Sequence, residues 1–426
     1  MSRALLVLNT NVFKRSKPNF AHIRCSSTIT GVSPRIFPTT GFTTIPASKK
    51  FEEERWAWYK PQSFYPVRIG DVLHSKYQVL YKLGYGTTAT SWLCRDLHRD
   101  AYVCMKSMVC NHPSAKREVK AYKAIKKAEK TTKLYGVKRR DFIRRALDHF
   151  QLRISNRKYQ FLIHEPLGMS LSDICKIEGG RVPIDFVKEV TFKLPLGLET
   201  IHEAEVIHAD IKESNILFHM QDETMFKEAE EREFEHPSKR KITDETFGSK
   251  RGLVLCDFGE ARTGKDEYVE HVQPAPYRAP EVFLYLPWTK AIDIGTWLHE
   301  HLFPPQGEDE LTRDTNQLAR MVALLGPPPE ALLADSGPRA LEFFNEDGSP
   351  KGDVPNDTLE SLLASSLDSE HEDDDRKMTT EESEMFLAFI RRALTWDDVK
   401  RPSASELFAD PWVLDSIVGK SSPSQS

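Results

Sequence analysis

Two short runs hold side chains whose types and spacing could together transfer a phosphoryl group. The first, His208-Ala209-Asp210-Ile211-Lys212-Glu213-Ser214-Asn215, has the pattern H-x-D-x-K-x-x-N, and the second, Asp257-Phe258-Gly259, follows downstream. Such a transfer asks for little covalent help. It needs an aligned hydroxyl, a clamp on the phosphates and divalent cations held by oxygen. Asp210 supplies a carboxylate for the incoming hydroxyl and Lys212 a cation for the phosphate. Asn215 and Asp257 supply an amide and a carboxylate oxygen suited to Mg²⁺. Upstream, Gly84-Tyr85-Gly86 lacks the side chains that would keep backbone N–H groups from phosphate oxygens, although Ala89 stands where a third glycine would complete the loop.

Those groups lie far apart in sequence, so folded elements must bring them together. Tyr77–Leu83, Thr90–Arg95 and Ala101–Met108 are short, rich in β-branched and aromatic residues and separated by turns, which predicts an antiparallel meander. A helix is predicted over 114–130, with Glu118, Tyr122 and Ile125 on one stripe. A carboxylate on an apolar stripe requires a partner. Strands return at Phe150–Ile154 and Tyr159–His164, and beyond Gly168 the periodicity is helical almost throughout. Val187, Val190, Leu194, Leu198 and Ile201 mark one long helix, which Pro195 should bend. Leu318, Met321, Val322 and Leu325 mark a second, closed by Gly326, and Phe386, Phe389, Ile390, Ala393 and Leu394 a third. The expected fold is α+β and bilobal: a small antiparallel β-sheet lobe with one key helix, then a larger, mainly helical lobe.

The expected organisation is a lead-in over 52–76, the small lobe over 77–166, the large lobe over 167–415 and an unstructured tail over 416–426. Residues 1–51 contain no Asp or Glu, carry eight Lys or Arg, and read as a transit-like or unstructured extension whose loss would spare the fold. Two charged stretches, 219–250 and 353–383, read as surface segments. Within them, Asp222–Glu235 and Asp368–Asp375 are expected as solvated loops or as docking surfaces for a basic substrate. The net charge of -4, from 59 basic and 63 acidic residues, gives no field favouring nucleic acid or an anionic membrane. No apolar run approaches the roughly 20 residues that span a bilayer. Six cysteines without C-x-x-C spacing argue for a reducing compartment, hence cytoplasm or nucleus, with mitochondria the alternative if the acid-free start is a transit peptide.

Further motifs complete a pattern. Val103-Cys104-Met105-Lys106 matches V-A-I-K, and Tyr277-Arg278-Ala279-Pro280-Glu281 ends in A-P-E. From about Glu52 to Val413 the chain resembles the eukaryotic protein kinase family, with Lys212 in the serine/threonine-type position. The resemblance implies ATP and Mg²⁺ as cofactors, a protein substrate and a monomer. It pairs Lys106 with Glu118, lays adenine between Cys104 and Leu217 against the backbone of Glu165 and Leu167, and sets Leu83, Gly84 and Gly86 over the nucleotide. Ser91 stands where the family usually has Val. His208, Phe258 and Tyr122 would stack as a column aligning the lobes, and Glu281 would pair with Arg401.

Within that family, His-Ala-Asp in place of His-Arg-Asp, a short segment from Asp257 to Glu281 and the entry Trp58-Tyr59-Lys60-Pro61 resemble the SR-protein kinase branch, particularly its fungal relatives. This implies constitutive activity on serines beside arginines, as in splicing factors. One departure points elsewhere. After Asp293-Ile294 the family continues into a long apolar helix, whereas here Gly295-Thr296-Trp297 leads directly to His301-Leu302-Phe303, about eight residues short. A pseudokinase or scaffold, or a small-molecule kinase of the same fold, is the alternative reading.

Overall fold

The computed structural model describes residues 31–418, apart from 39, 41–45, 47, 129–132, 135–136, 181, 221, 237–250, 265–266 and 368–377. Strands β1 (Val72–Leu73), β2 (Tyr77–Tyr85), β3 (Ala89–Asp96) and β4 (Ala101–Met108) form an antiparallel meander. Helix α1 (Pro113–Ala128) follows, and β5 (Asp148–Ile154) and β6 (Arg157–His164) complete a six-stranded sheet in the order β1-β2-β3-β4-β6-β5. Because strand side chains alternate, the sheet has two distinct faces. One buries Val79, Trp92, Cys94, Val103, Met105, Phe161 and Ile163 beneath Val67, Leu73 and Phe150. The other carries Ser91 opposite Lys106 and Cys104 opposite His164.

The large lobe is mainly helical, as its periodicity predicts. Short α2 (Leu171–Ile177) precedes α3 (Ile184–Glu203), which buries Val190, Leu194, Leu198 and Ile201 and runs on through Pro195. Two short antiparallel pairs then frame the loops of interest: β7 (Val206–Ile207) with β10 (Arg262–Thr263), and β8 (Ile216–His219) with β9 (Arg251–Leu255). Helix α4 (Thr224–Glu235) lies between β8 and β9. Beyond Glu281, α5 (Glu310–Leu325), α6 (Leu359–Leu367) and α7 (Thr380–Ala393) contribute Leu318, Met321, Leu324, Leu359, Phe389, Ile390 and Ala393 to the core.

Two expectations change. Residues 31–38 do not trail free: Val32 N–H donates to the Leu97 carbonyl at 2.9 Å, Arg35 and Gln78 exchange two hydrogen bonds, and Phe37 is buried. The acidic stretch Asp222–Glu235 is mostly helix α4, not a solvated loop. Its Phe226 and Ala229 enter the small lobe's core, and Glu230 and Glu231 are held by Arg35, Arg95 and Tyr102. Phe226, Ala229 and Phe234 recur on one helical face, a pattern that the seven surrounding acids mask in the sequence. The 353–383 stretch, read as a surface segment, holds α6 and the start of α7. Residues 1–30, 237–250 and 419–426 lie outside the described residues, as does all of Asp368–Asp375.

Candidate active site

The sheet's lower face and the loops at the top of the large lobe meet at Lys106. Its Nζ lies 2.8 Å from Glu118 Oε2 on α1 and 2.9 Å from Asp257 Oδ1. Glu118 is 1% exposed, so the partner its apolar stripe demanded is Lys106. Burial opposes the charge on Lys106, but the carboxylates of Asp257 and Glu118 outweigh it and hold the ammonium above its ordinary value. For Asp257 burial acts upward, yet Lys106 and the Gly259 N–H hold its carboxyl well below the usual range, so it is ionised. Glu118, the more enclosed carboxyl, is pushed up by burial despite Lys106. Arg117, one residue before Glu118, donates to the Gly259 carbonyl at 2.7 Å and fastens α1 directly to the Asp257 turn. Sequence reasoning missed that tie, and a lone Arg on a helix gives no signal for it.

The loop after β7 is built on Asp293. Its two carboxylate oxygens accept the N–H groups of His208 at 2.7 Å and Ala209 at 2.9 Å, and His202 Nε2 lies 3.0 Å away. These bonds hold Ala209 at φ +61°, a left-handed conformation that costs a non-glycine residue roughly 1–3 kcal/mol. The turn aims Asp210 into the cleft. His208 donates from Nε2 to the Cys256 carbonyl at 2.9 Å, which leaves Nδ1 to accept the Asp210 N–H. Its ring meets Phe258 edge-on at 4.9 Å, Phe258 meets Tyr122 at 5.2 Å, and Tyr122 meets His164 at 5.4 Å. The predicted three-ring column thus has a fourth member, His164, the last residue of β6.

Around Asp210 the polar groups converge. Lys212 Nζ lies 2.8 Å from Asp210 Oδ2, and Asn215 donates its Nδ2 to the Asp210 carbonyl at 2.8 Å and to Oδ2 at 3.0 Å. Burial pushes the Asp210 carboxyl up, against the pull of Lys212. A raised carboxylate is a better proton acceptor than one in water. With Nδ2 occupied, Asn215 keeps its amide oxygen as an acceptor. Asp257 Oδ1 is taken by Lys106 and Gly259, and the side chain is about 40% exposed, leaving Oδ2 to the cleft. Oxygens of this kind fit a hard divalent cation. Among the described residues no group of three or more His, Cys, Asp or Glu could hold a metal, so such an ion would share its shell with phosphate oxygens and water.

The remaining predicted positions fall on the strands and connections next to these groups. Cys104 and Ser91 occupy the face that bears Lys106, and Gly84 pairs with Ser91 at the end of β2, with Leu83 beside it. Leu217 on β8 lies opposite Val254, in one apolar cluster with Leu167, Val254 and Cys256. The Glu165–Leu167 connection follows β6, and Arg144 Nη2 donates to the Glu165 carbonyl at 3.2 Å, a contact absent from the sequence reading. Further down, Arg401 makes two parallel bonds to Glu281 at 2.8 and 3.0 Å, both side chains 2% exposed. Gln273, also unforeseen, bridges the Ile292 carbonyl and the Ala279 N–H and braces the approach to that pair.

Residues 77–413 match the protein kinase domain model. The chain is similar to a serine/threonine protein kinase of Aspergillus fumigatus, 33% identical over 406 residues, covering 89% of this chain and 95% of that protein. It is also similar to the serine/threonine-protein kinase SRPK of Physarum polycephalum, 24% identical over 405 residues, covering 85% and 92%. SRSF protein kinase 3 of the mouse is 31% identical over 171 residues, covering 39% of this chain and 29% of that protein.

Proposed function

Because this chain belongs to the protein kinase family and is a serine/threonine protein kinase, we propose that it is a constitutively active member acting on serines flanked by arginines. Use of ATP with a divalent metal comes with the family; Mg²⁺ is our assignment, from the oxygen-only donors Asn215 and Asp257. A magnesium ion there would neutralise charge developing on the transferred phosphate. The chain's own groups do the rest. Lys106, fixed by Glu118, fits a role on the inner phosphates. Asp210 orients the substrate hydroxyl and takes its proton, and Lys212 steadies the terminal phosphate while holding Asp210 in place.

The observation that carries the reading is the Glu118–Lys106–Asp257 chain, closed at 2.8 and 2.9 Å with Ala209 where regulated relatives keep an arginine. That arginine receives an activating phosphate; with alanine there, the pairing forms unaided. One relative is named SRPK and another SRSF protein kinase 3, which supports the same substrate class here. Purified, unmodified protein should phosphorylate an Arg-Ser repeat peptide with Mg-ATP, and Asp210→Ala should abolish this. Nucleotide binding without transfer would favour a scaffold instead.

A further inference from the structure

The sheet face that roofs the cleft does not end at Cys104 and Ser91. Two residues along the same strands, Tyr102 and Leu93 continue it, and with Leu80 and Tyr81 they bury Phe226 and Ala229 of α4. Leu83, beside Gly84, packs against this cluster too. Helix α4 starts soon after β8, the strand that carries the cleft's floor residue Leu217. Its seat on the sheet therefore joins roof and floor on the side of the Glu165–Leu167 connection.

The seat is closed from outside by the segment before the lobe. Arg35 makes two bonds of 2.7 Å to Glu231, lies 3.7 Å from Glu230 and covers the Phe234 ring at 3.8 Å. Its backbone is pinned by Gln78, and Phe37 meets Phe234 edge-on at 5.8 Å. Glu230 in turn accepts from Tyr102 at 2.7 Å and Arg95 at 3.2 Å. We propose that residues 31–38 and α4 form a strap across the nucleotide cleft, in which Arg35 is the positioning residue that sets the distance between Leu83 and Leu217. The proposal rests on the cleft being the nucleotide site.

With the strap latched, lobe opening is resisted and bound nucleotide leaves slowly. Arg35→Glu should raise the dissociation rate of a fluorescent ADP analogue and the KM for ATP on the order of 5-fold, with kcat unchanged or higher. Glu231→Arg should do the same, and the double variant, which restores the pair reversed, should return both to within about 2-fold of the parent. A merely structural loss would lower kcat and would not be rescued. Unchanged ADP release in single variants that remain folded, or a double variant no better than the singles, overturns the proposal. Amide exchange in α4, followed without nucleotide, separates the two ideas. Faster exchange in Arg35→Glu supports the latch even if the parent binds no ADP, a result that would sink the nucleotide reading alone. Exchange unchanged in α4 would sink the latch.

Discussion

The cleft and the segment just beneath it, residues 294–303, are treated very differently by this chain. In the cleft every charged group has a partner: Lys106, Glu118, Asp257, Asp210, Lys212 and the anchoring Asp293 all make bonds of 3.0 Å or less. In the segment below, Gly295 at φ +79° is followed by one 3₁₀ turn and a single helical turn over His299–Leu302. There Thr296 Oγ1, Trp297 Nε1 and His299 Nδ1 are buried without a hydrogen bond among the described residues. Beside them runs an apolar groove of about 370 Å³, touched by Trp297, Leu298 and Leu302. The expected shortening of this helix is thus visible as missing packing, while the catalytic geometry above it stays intact. Stability and chemistry should therefore separate on mutation.

The largest effect should come from the cleft. Asp257→Ala removes the carboxylate that Lys106 shares, and phosphoryl transfer should fall on the order of 10³-fold in a steady-state assay. The melting temperature should scarcely move, because Lys106 keeps Glu118. A variant that unfolds instead would mean that the two regions are coupled after all.

Arg401→Ala should do the reverse. Its guanidinium and Glu281 are both fully enclosed, and breaking one partner of such a pair leaves a charge with no solvent, typically about 3–5 kcal/mol. Urea unfolding should show that loss, while the fraction still folded at low temperature should retain its turnover. A normally melting variant would refute the structural weight given to this pair.

How much of this was legible beforehand depends on the range of the interaction. Lys106, Asp210, Asn215 and Asp257 could be named as candidates because each motif fixes a residue type at a set spacing; that Lys106 and Cys104 share one face follows from the strand they turn out to occupy. Ala101–Met108 was read to the residue, since a β-branched and aromatic run between polar turns has few alternatives. Arg35 could not be placed that way. Its partners Gln78, Glu230 and Glu231 are distant in sequence, and an acid-free stretch followed much later by an acid-rich one looks like two solvated segments until the fold apposes them. His164 and Arg144 were missed for a related reason: their roles come from the backbone groups they face, Arg145 and Glu165 carbonyls, which sequence does not mark.

The smallest expected effect tests the segment below the cleft from within. His299 is buried against Phe303, with rings 5.1 Å apart, and near Arg401. Burial, helped by the Arg401 charge, pushes its pKa down to about 3 from an ordinary 6.5. The imidazole is therefore neutral in the folded chain but protonates in the unfolded one once the pH drops below about 6.5. The unfolded state then binds more protons, and stability must decline as pH falls from about 6.5 toward 3, by roughly 1.4 kcal/mol per unit for this one group. His299→Leu, of similar volume, removes the titration and the orphaned Nδ1 but also the ring's hydrogen bond to the Arg278 backbone. The two changes oppose each other, so stability at pH 7.5 should move by no more than about 1 kcal/mol, and the variant should show a flatter loss of stability between pH 6.5 and 5 in urea titrations. If parent and variant lose stability in parallel over that interval, the buried ring is not titrating alone, and the segment is better packed than its unpaired atoms indicate.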